Sequence, residues 1–148
     1  MRRVMILVAL LLIGLFACSS STAEITPPSA KSNDVGPLST RYLCDAVCRL
    51  YDNGDGTVTL YGKSVANQTV DQIWVKVTLQ RWTGAGWVDV NSGYRVDRYN
   101  TFIAQISKDQ SVQPGCYYRC KGQHQVIHNG YYDPNPPVVH YTDPLWIQ

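Results

Sequence analysis

Four cysteines in two equally spaced pairs are the residues whose types and spacing most directly indicate chemistry. The pairs are Cys44-x3-Cys48 and Cys116-x3-Cys120. Side chains of an extended strand alternate between its two faces, so residues four apart point the same way. Each pair therefore offers two sulfurs from one face of a strand, and two such strands facing each other can be joined by two disulfide bonds.

The connectivity follows if the two cysteine strands run antiparallel in opposite sheets. Four cysteines allow three connectivities, and only the nested one, Cys44–Cys120 with Cys48–Cys116, satisfies both the antiparallel geometry and the shared face. Four thiolates can also hold one zinc ion, and the thiols can remain free. The strand-like surroundings and the oxidising compartment implied by the N-terminus favour disulfides.

Side chains suited to acid–base catalysis are scarce. The single glutamate, Glu24, precedes the folded part, and most aspartates stand in turn sequences, where they are expected for backbone reasons. The segment Asp52–Gly56 lacks the spaced oxygen ligands of a calcium loop. His124 is expected to be a hydrogen-bonded core or rim residue. We predict no enzyme, no catalytic residue, no metal and no cofactor. The alternatives are a small extracellular hydrolase that uses His124 with an aspartate, or a purely structural secreted protein.

Three tryptophans are the candidate ligand contacts. Trp74 and Trp82 lie eight residues apart on the polar face of one predicted strand, and Trp87 follows across a hairpin. Outward aromatic rings stack on sugars and anchor protein interfaces. The sequence therefore predicts that Trp74, Trp82 and Trp87 contact a glycan, a cell-wall component or an extracellular protein. The alternative is that they pack against a neighbouring loop, the linker or the C-terminal tail.

The N-terminus predicts export. Arg2 and Arg3 precede the apolar stretch Val4–Phe16, which is too short for a comfortable membrane span, and small residues follow. The residues ending at Cys18 are similar to the lipobox of bacterial lipoproteins, which makes Cys18 a candidate for lipidation. Ordinary cleavage after Ala23 is the other route. Both routes predict that residues 1–23 are a signal peptide and that the domain is extracellular, either secreted or lipid-anchored to the cell membrane.

Charge and composition restrict the partners. Without the two arginines of the signal, 11 basic residues stand against 11 acidic ones. Such a balance offers no electrostatic footprint for nucleic acid, and the only expected membrane contact is a lipid on Cys18. We predict a monomer. Residues 24–40, rich in proline, serine and glycine, are expected to be a flexible linker, and residues 41–148 a single domain.

The elements that must position these residues are strands. Tyrosine, tryptophan, valine and threonine are abundant after the linker, and no segment shows sustained helical periodicity. Asn-Gly and Asp-Gly pairs mark hairpin turns. The predicted strands are 42–51, 57–66, 73–82, 87–90, 94–99 with 101–107, 116–127 and an edge strand near 138–141, with a turn at 67–72. This pattern predicts an all-β, immunoglobulin-like antiparallel β-sandwich of seven or eight strands stapled by two disulfides.

Three motifs stand out: they are Asn53-Gly54-Asp55-Gly56-Thr57-Val58, Leu79-Gln80-Arg81-Trp82-x-Gly84, and Tyr117-Tyr118-Arg119-x2-Gly122-x-His124. Together they resemble a family of small secreted bacterial proteins of unknown function, mostly from Gram-positive bacteria. The resemblance covers roughly residues 42–130 and implies a β-sandwich-like fold without an assigned activity. No catalytic residue is carried over from it. The usual members lack the cysteines, so the resemblance implies that the two disulfide bonds are an addition in this chain.

Overall fold

The computed structural model describes residues 40–148, and within that range every regular element is a strand. The predicted signal peptide and nearly all of the predicted linker lie outside the described residues. A single antiparallel sheet contains seven strands. They are β1 (Leu43–Asp52), β2 (Thr57–Trp82), β3 (Trp87–Asp89), β4 (Tyr94–Ser111), β5 (Cys116–His128), β6 (Tyr131–Tyr141) and β7 (Leu145–Ile147). The all-β prediction is confirmed.

The second strand organises the whole sheet. β2 is 26 residues long and pairs with β4 along most of its length. Its first half also pairs with β1, and its second half with β5. The predicted turn at 67–72 is wrong, because the ladder between β2 and β4 is interrupted only between Val65 and Val70 and then resumes. Residues 67–69 are exposed at this irregularity, so the polar turn sequence makes a bend within one strand.

The bend brings the two halves of β2 face to face. A Cβ atom added to Gly62, in the first half, would lie 2.6 Å from Val77 Cγ1 and 2.7 Å from Val75 Cγ2, both in the second half. The two halves of β2 therefore pack against each other here, and we call each half, with the strands paired to it, a layer of the folded sheet. The core between them contains, among others, Val58, Leu60, Ile73, Leu79 and Val126.

The hairpin turns were predicted correctly. Gly54 and Gly56 take positive φ angles of 74° and 82° between β1 and β2. Asn129 and Gly130 take φ angles of 51° and 76° between β5 and β6, the left-handed conformations that a two-residue hairpin loop requires. β2, β4 and β6 are longer than predicted, and β7 was not predicted. β6 lies at the edge of the sheet, as its prolines indicated.

Tyr118 is a structural tyrosine that holds the loop before β5. Its ring is buried, and its hydroxyl accepts a hydrogen bond from the backbone N–H of Gln113 at 3.0 Å and donates to the Gln113 carbonyl oxygen at 3.2 Å. The side chain thereby ties the loop before β5 to β5 itself.

Candidate functional site

Aromatic side chains gather on the outer surface of the layer formed by the second half of β2 and its neighbours. Trp82 on β2 is paired with Trp87 on β3, and Tyr117 on β5 is paired with Trp146 on β7. Alternation along β5 places Arg119 on the same side as Tyr117. We call this surface the aromatic face and define it by Trp82, Trp87, Tyr117, Arg119, Tyr141 and Trp146.

Arg119 occupies the middle of the aromatic face between two rings. Its guanidinium carbon lies 4.4 Å from the centre of the Trp87 ring and 4.2 Å from the centre of the Tyr141 ring. A cation at this distance is attracted by the electron-rich face of each ring. The planar guanidinium and the two rings therefore form a stacked, laterally fixed group at the surface.

A chain of polar contacts holds Arg119 in place. Its Nε donates to Gln80 Oε1 at 2.8 Å, and Gln80 Nε2 donates to Asp89 Oδ1 at 2.6 Å. Lys121 Nζ lies 3.1 Å from Asp89 Oδ2. The hydrogen bond from Gln80, followed by that from Lys121, holds the pKa of the Asp89 carboxyl below its ordinary value. The carboxylate stays charged at neutral pH, and the network stays intact.

Trp82 and Trp87 form the first aromatic pair of the face. Their ring centres lie 5.4 Å apart with the planes tilted by 54°. Both residues are half-buried, so their rings are held by packing while part of their surface remains open to solvent. The Trp82 Nε1 atom is buried and has no hydrogen-bond partner within residues 40–148.

Tyr117 and Trp146 form the second aromatic pair. Their ring centres lie 4.7 Å apart with an interplanar angle of 59°. Trp146 is 45% exposed, which makes it the most accessible tryptophan of the aromatic face. Since neighbouring strands are spaced by about 4.8 Å, the rings on β3, β2, β5 and β7 extend over about 14 Å of the sheet.

Trp74 does not belong to the aromatic face, although the sequence placed it with Trp82. The ring is only 5% exposed, and the guanidinium carbon of Arg95 covers it at 4.0 Å from its centre. Its Nε1 donates to Gln125 Oε1 at 3.3 Å. Of the three predicted ligand contacts, Trp82 and Trp87 are therefore brought together at the surface. Trp74 is covered by side chains of the adjacent strands β4 and β5.

His124 lies in the interior between the two layers, as expected of a core histidine. Its side chain is fully buried, and its Nδ1 lies 2.9 Å from Ser64 Oγ. Ser64 Oγ donates its proton to the Trp74 carbonyl oxygen at 2.9 Å, so the imidazole Nδ1 is the donor to Ser64. Burial, with a smaller contribution from His140, lowers the pKa of His124 to about 3. The neutral, enclosed ring has Ser64 as its partner rather than an aspartate.

The cysteines do not meet in the expected pairs. Cys48 Sγ lies 2.9 Å from Cys120 Sγ, and no two sulfurs in the described part of the chain are at bonding distance. The register of β1 against β2 shifts between Leu43 and Asp45, which leaves Cys44 as the extra residue of a bulge. A bulge breaks the alternation of faces. Cys44 is therefore exposed, while Cys48 packs against the core.

Sequence reasoning missed Arg119, Tyr117, Tyr141 and Trp146 as members of the aromatic face. Arg119 and Tyr117 alternate with the core residues Tyr118 and Cys120 in the sequence, so their shared outward direction could have been deduced. The pairing of Trp146 with Tyr117 and the stacking of Tyr141 on Arg119 depend on strands that meet only in the folded chain.

Within residues 40–148, no group of three or more histidine, cysteine or acidic side chains is arranged to hold a metal ion. The same range contains no helix with the length and apolar character needed to cross a bilayer. No family model, no curated protein and no solved structure matches this chain.

Proposed function

We propose that this chain is a noncatalytic extracellular binding domain whose aromatic face holds a glycan of the cell-wall type. The observation that carries the proposal is the position of Arg119, stacked between Trp87 and Tyr141 and hydrogen-bonded to Gln80. Fixed aromatic rings offer flat apolar surface to sugar rings, and a fixed guanidinium offers donors to hydroxyl or carboxylate oxygens.

The side chains of the aromatic face are already held in place before a ligand binds, which supports a binding role for this face. A ligand that binds flexible side chains must restrict their rotamers, which weakens binding by about 0.5–1.5 kcal/mol for each side chain. The Arg119 side chain is already restricted by two rings and one hydrogen bond, and Trp82 and Trp87 restrict each other. The aromatic face therefore loses little conformational entropy when a ligand covers it.

The proposal is tested by binding to insoluble polymers. Wild-type protein is incubated with purified bacterial peptidoglycan, chitin and cellulose, and the bound fraction is measured after sedimentation. We expect retention on at least one polymer, and we expect Trp87→Ala to reduce it at least tenfold. Lys108→Ala, on the exposed part of β4, is the matched control. Retention by Trp87→Ala equal to that of wild type would exclude the aromatic face as the contact surface.

Export of the domain is part of the same proposal and concerns residues 1–23, which lie outside the described residues. The basic start, the apolar stretch and the small residues after it support a signal peptide. Mass spectrometry of the mature N-terminus distinguishes the two routes, since a lipidated Cys18 adds acyl mass and cleavage after Ala23 leaves Glu24 first. An unprocessed Met1 terminus would contradict export.

We also propose that the two layers of the folded sheet act as a β-sandwich scaffold for the aromatic face. The close approach of Gly62 to Val75 and Val77 supports two packed layers. The immunoglobulin-like form of that sandwich stays a prediction. A folded domain expressed from residues 41–148 alone would support the single-domain boundary.

A further inference from the structure

Two sulfurs from distant parts of the chain touch between the two layers. Cys48 lies on β1 and Cys120 on β5, 72 residues later, and their Sγ atoms are 2.9 Å apart. A disulfide bond is about 2.05 Å long. The two sulfurs therefore need to approach each other by less than about 1 Å to reach bonding distance.

The backbone around this contact allows the close approach that a disulfide requires. Bonded cysteines keep their Cα atoms within about 7 Å, which is less than the spacing of about 10 Å between packed sheets. Gly122 lies beside the pair on β5, and a Cβ atom there would be 2.8 Å from Cys48 Cβ and 3.1 Å from Cys48 Sγ. The missing side chain at Gly122 thus lets β1 lie directly against β5.

The other two cysteines lie on opposite sides of this contact. The Tyr42 and His128 rings meet with centres 5.0 Å apart, so the start of β1 lies against the end of β5 and the two strands run antiparallel. Four residues of strand span about 13 Å. Cys44 is therefore displaced toward the end of β5 and Cys116 toward its start, about 13 Å in each direction from the Cys48–Cys120 contact.

The side chain of Cys44 also points away from the Cys48–Cys120 contact, toward solvent. It occupies the bulge at the start of β1, it is exposed, and its Sγ lies 3.3 Å from the Val65 carbonyl oxygen on the neighbouring strand. Cys116 remains on the inner face of β5 and packs against the core. Neither residue has another sulfur within reach in the described part of the chain, so the geometry accommodates one bond and not two.

We propose that Cys48 and Cys120 form a single disulfide between the two layers, while Cys44 and Cys116 remain thiols. The two thiols together lose two protons and two electrons as the S–S bond forms. The acceptor is a disulfide oxidant such as oxidised glutathione, which is cleaved to two thiols by exchange through a mixed disulfide. This inference does not depend on the proposed ligand or on the aromatic face.

The interior position also determines how the bond behaves after folding. The contact with Cys120 and burial raise the pKa of the Cys48 thiol, and Cys120 itself is fully buried. Thiolate is the species that exchanges. The pair is therefore expected to exchange slowly in the folded protein.

Peptide mapping tests the connectivity. The full chain is equilibrated with reduced and oxidised glutathione, free thiols are alkylated, and the protein is digested without reduction. Trypsin and a protease that cleaves before aspartate place every cysteine of the domain in its own peptide: Tyr42–Cys44, Asp45–Arg49, Asp109–Arg119 and Cys120–Lys121. We expect Asp45–Arg49 linked to Cys120–Lys121, and alkylated Cys44 and Cys116. The nested pairs, bonds within each close pair, or four alkylated cysteines would overturn the proposal.

Thermal unfolding provides a second readout. Closing a loop of this length restricts the unfolded chain strongly, so reduction is expected to lower Tm by roughly 10 °C or more. The double variant Cys44→Ser/Cys116→Ser should keep the full reduction-dependent shift, and Cys48→Ser/Cys120→Ser should lose it. A shift that disappears in the first variant, or a zinc ion retained by the reduced wild-type protein in native mass spectra, would contradict the single disulfide.

Discussion

The guanidinium carbon of Arg119 lies 4.4 Å above the Trp87 ring, and this stacking joins β5 to the short strand β3 across the end of β2. The contact couples the proposed binding surface to the stability of the sheet edge. A substitution at Arg119 therefore tests both roles, and the choice of the replacement separates them.

We expect Arg119→Lys to weaken retention on the polymer that binds wild type by about tenfold, with a small change in stability. Lysine keeps the positive charge but lacks the planar fork that stacks and donates to Gln80. Arg119→Ala should weaken retention further and lower the free energy of unfolding by about 1 kcal/mol, since the aliphatic part of the side chain also packs on the rings. Sedimentation with the polymer and urea unfolding measure the two effects. Equal retention by wild type and Arg119→Lys would show that charge alone accounts for the role of Arg119.

Two substitutions at Trp82 distinguish the contribution of its buried N–H group from that of its packed ring. Trp82→Phe removes a buried N–H that has no partner among residues 40–148, so its expected change in unfolding free energy is within about 1 kcal/mol, in either direction. Trp82→Ala removes the half-buried ring and is expected to destabilise the fold by about 1–3 kcal/mol. Urea unfolding at constant pH compares the two variants. A loss above 2 kcal/mol for Trp82→Phe would indicate that the indole nitrogen has a partner in solution.

The buried histidine predicts a pH dependence of stability. The pKa of His124 is about 3 in the folded chain and close to 6.5 in the unfolded chain, so the unfolded chain binds the extra proton between these values. Above pH 6.5 His124 is neutral in both the folded and the unfolded chain and does not lower the free energy of unfolding. Below pH 6.5 that free energy falls by about 1.4 kcal/mol per pH unit as the pH drops toward 3. His140 adds to the lowering of this pKa, and Asp45 opposes it.

Urea unfolding between pH 7 and pH 5 measures this slope. The control is His124→Asn, whose amide can still donate to Ser64 but does not titrate. The variant should be less dependent on pH than wild type by about 1 kcal/mol per pH unit near pH 5. Parallel pH profiles for the two proteins would contradict a neutral, enclosed His124.

The contact between the two layers is tested at Gly62. Gly62→Ala would place a methyl group 2.6 Å from Val77 Cγ1 and 2.7 Å from Val75 Cγ2. Overpacking of this kind typically costs about 1–3 kcal/mol. Gly86→Ala is the matched control, because no atom of the described part of the chain lies within 4 Å of its added Cβ. Thermal unfolding should show a clear loss for Gly62→Ala alone, and equal melting temperatures would indicate that the layers do not meet there.

The strands and hairpins were predictable because their signals are local. Alternating residues such as Val75, Val77 and Leu79 indicated the inner face of a strand, and Asn129-Gly130 indicated its hairpin. The bend at 67–69 was not predictable in the same way. Its residues are typical of a turn, and only the pairing of β2 with β4 on both sides shows that the strand continues.

The amino-acid sequence by itself determined an all-β chain with alternating faces and marked hairpins, because these properties depend on near neighbours. Only the tertiary structure decided which side chains meet. The bend in β2 packed its two halves against each other and brought Cys48 against Cys120, while the one-residue bulge at Cys44 turned that cysteine away. In the same way, the registers of β3, β5 and β6 placed Arg119 between Trp87 and Tyr141. A shift of a single residue in any of these ladders reverses the direction of every side chain after it.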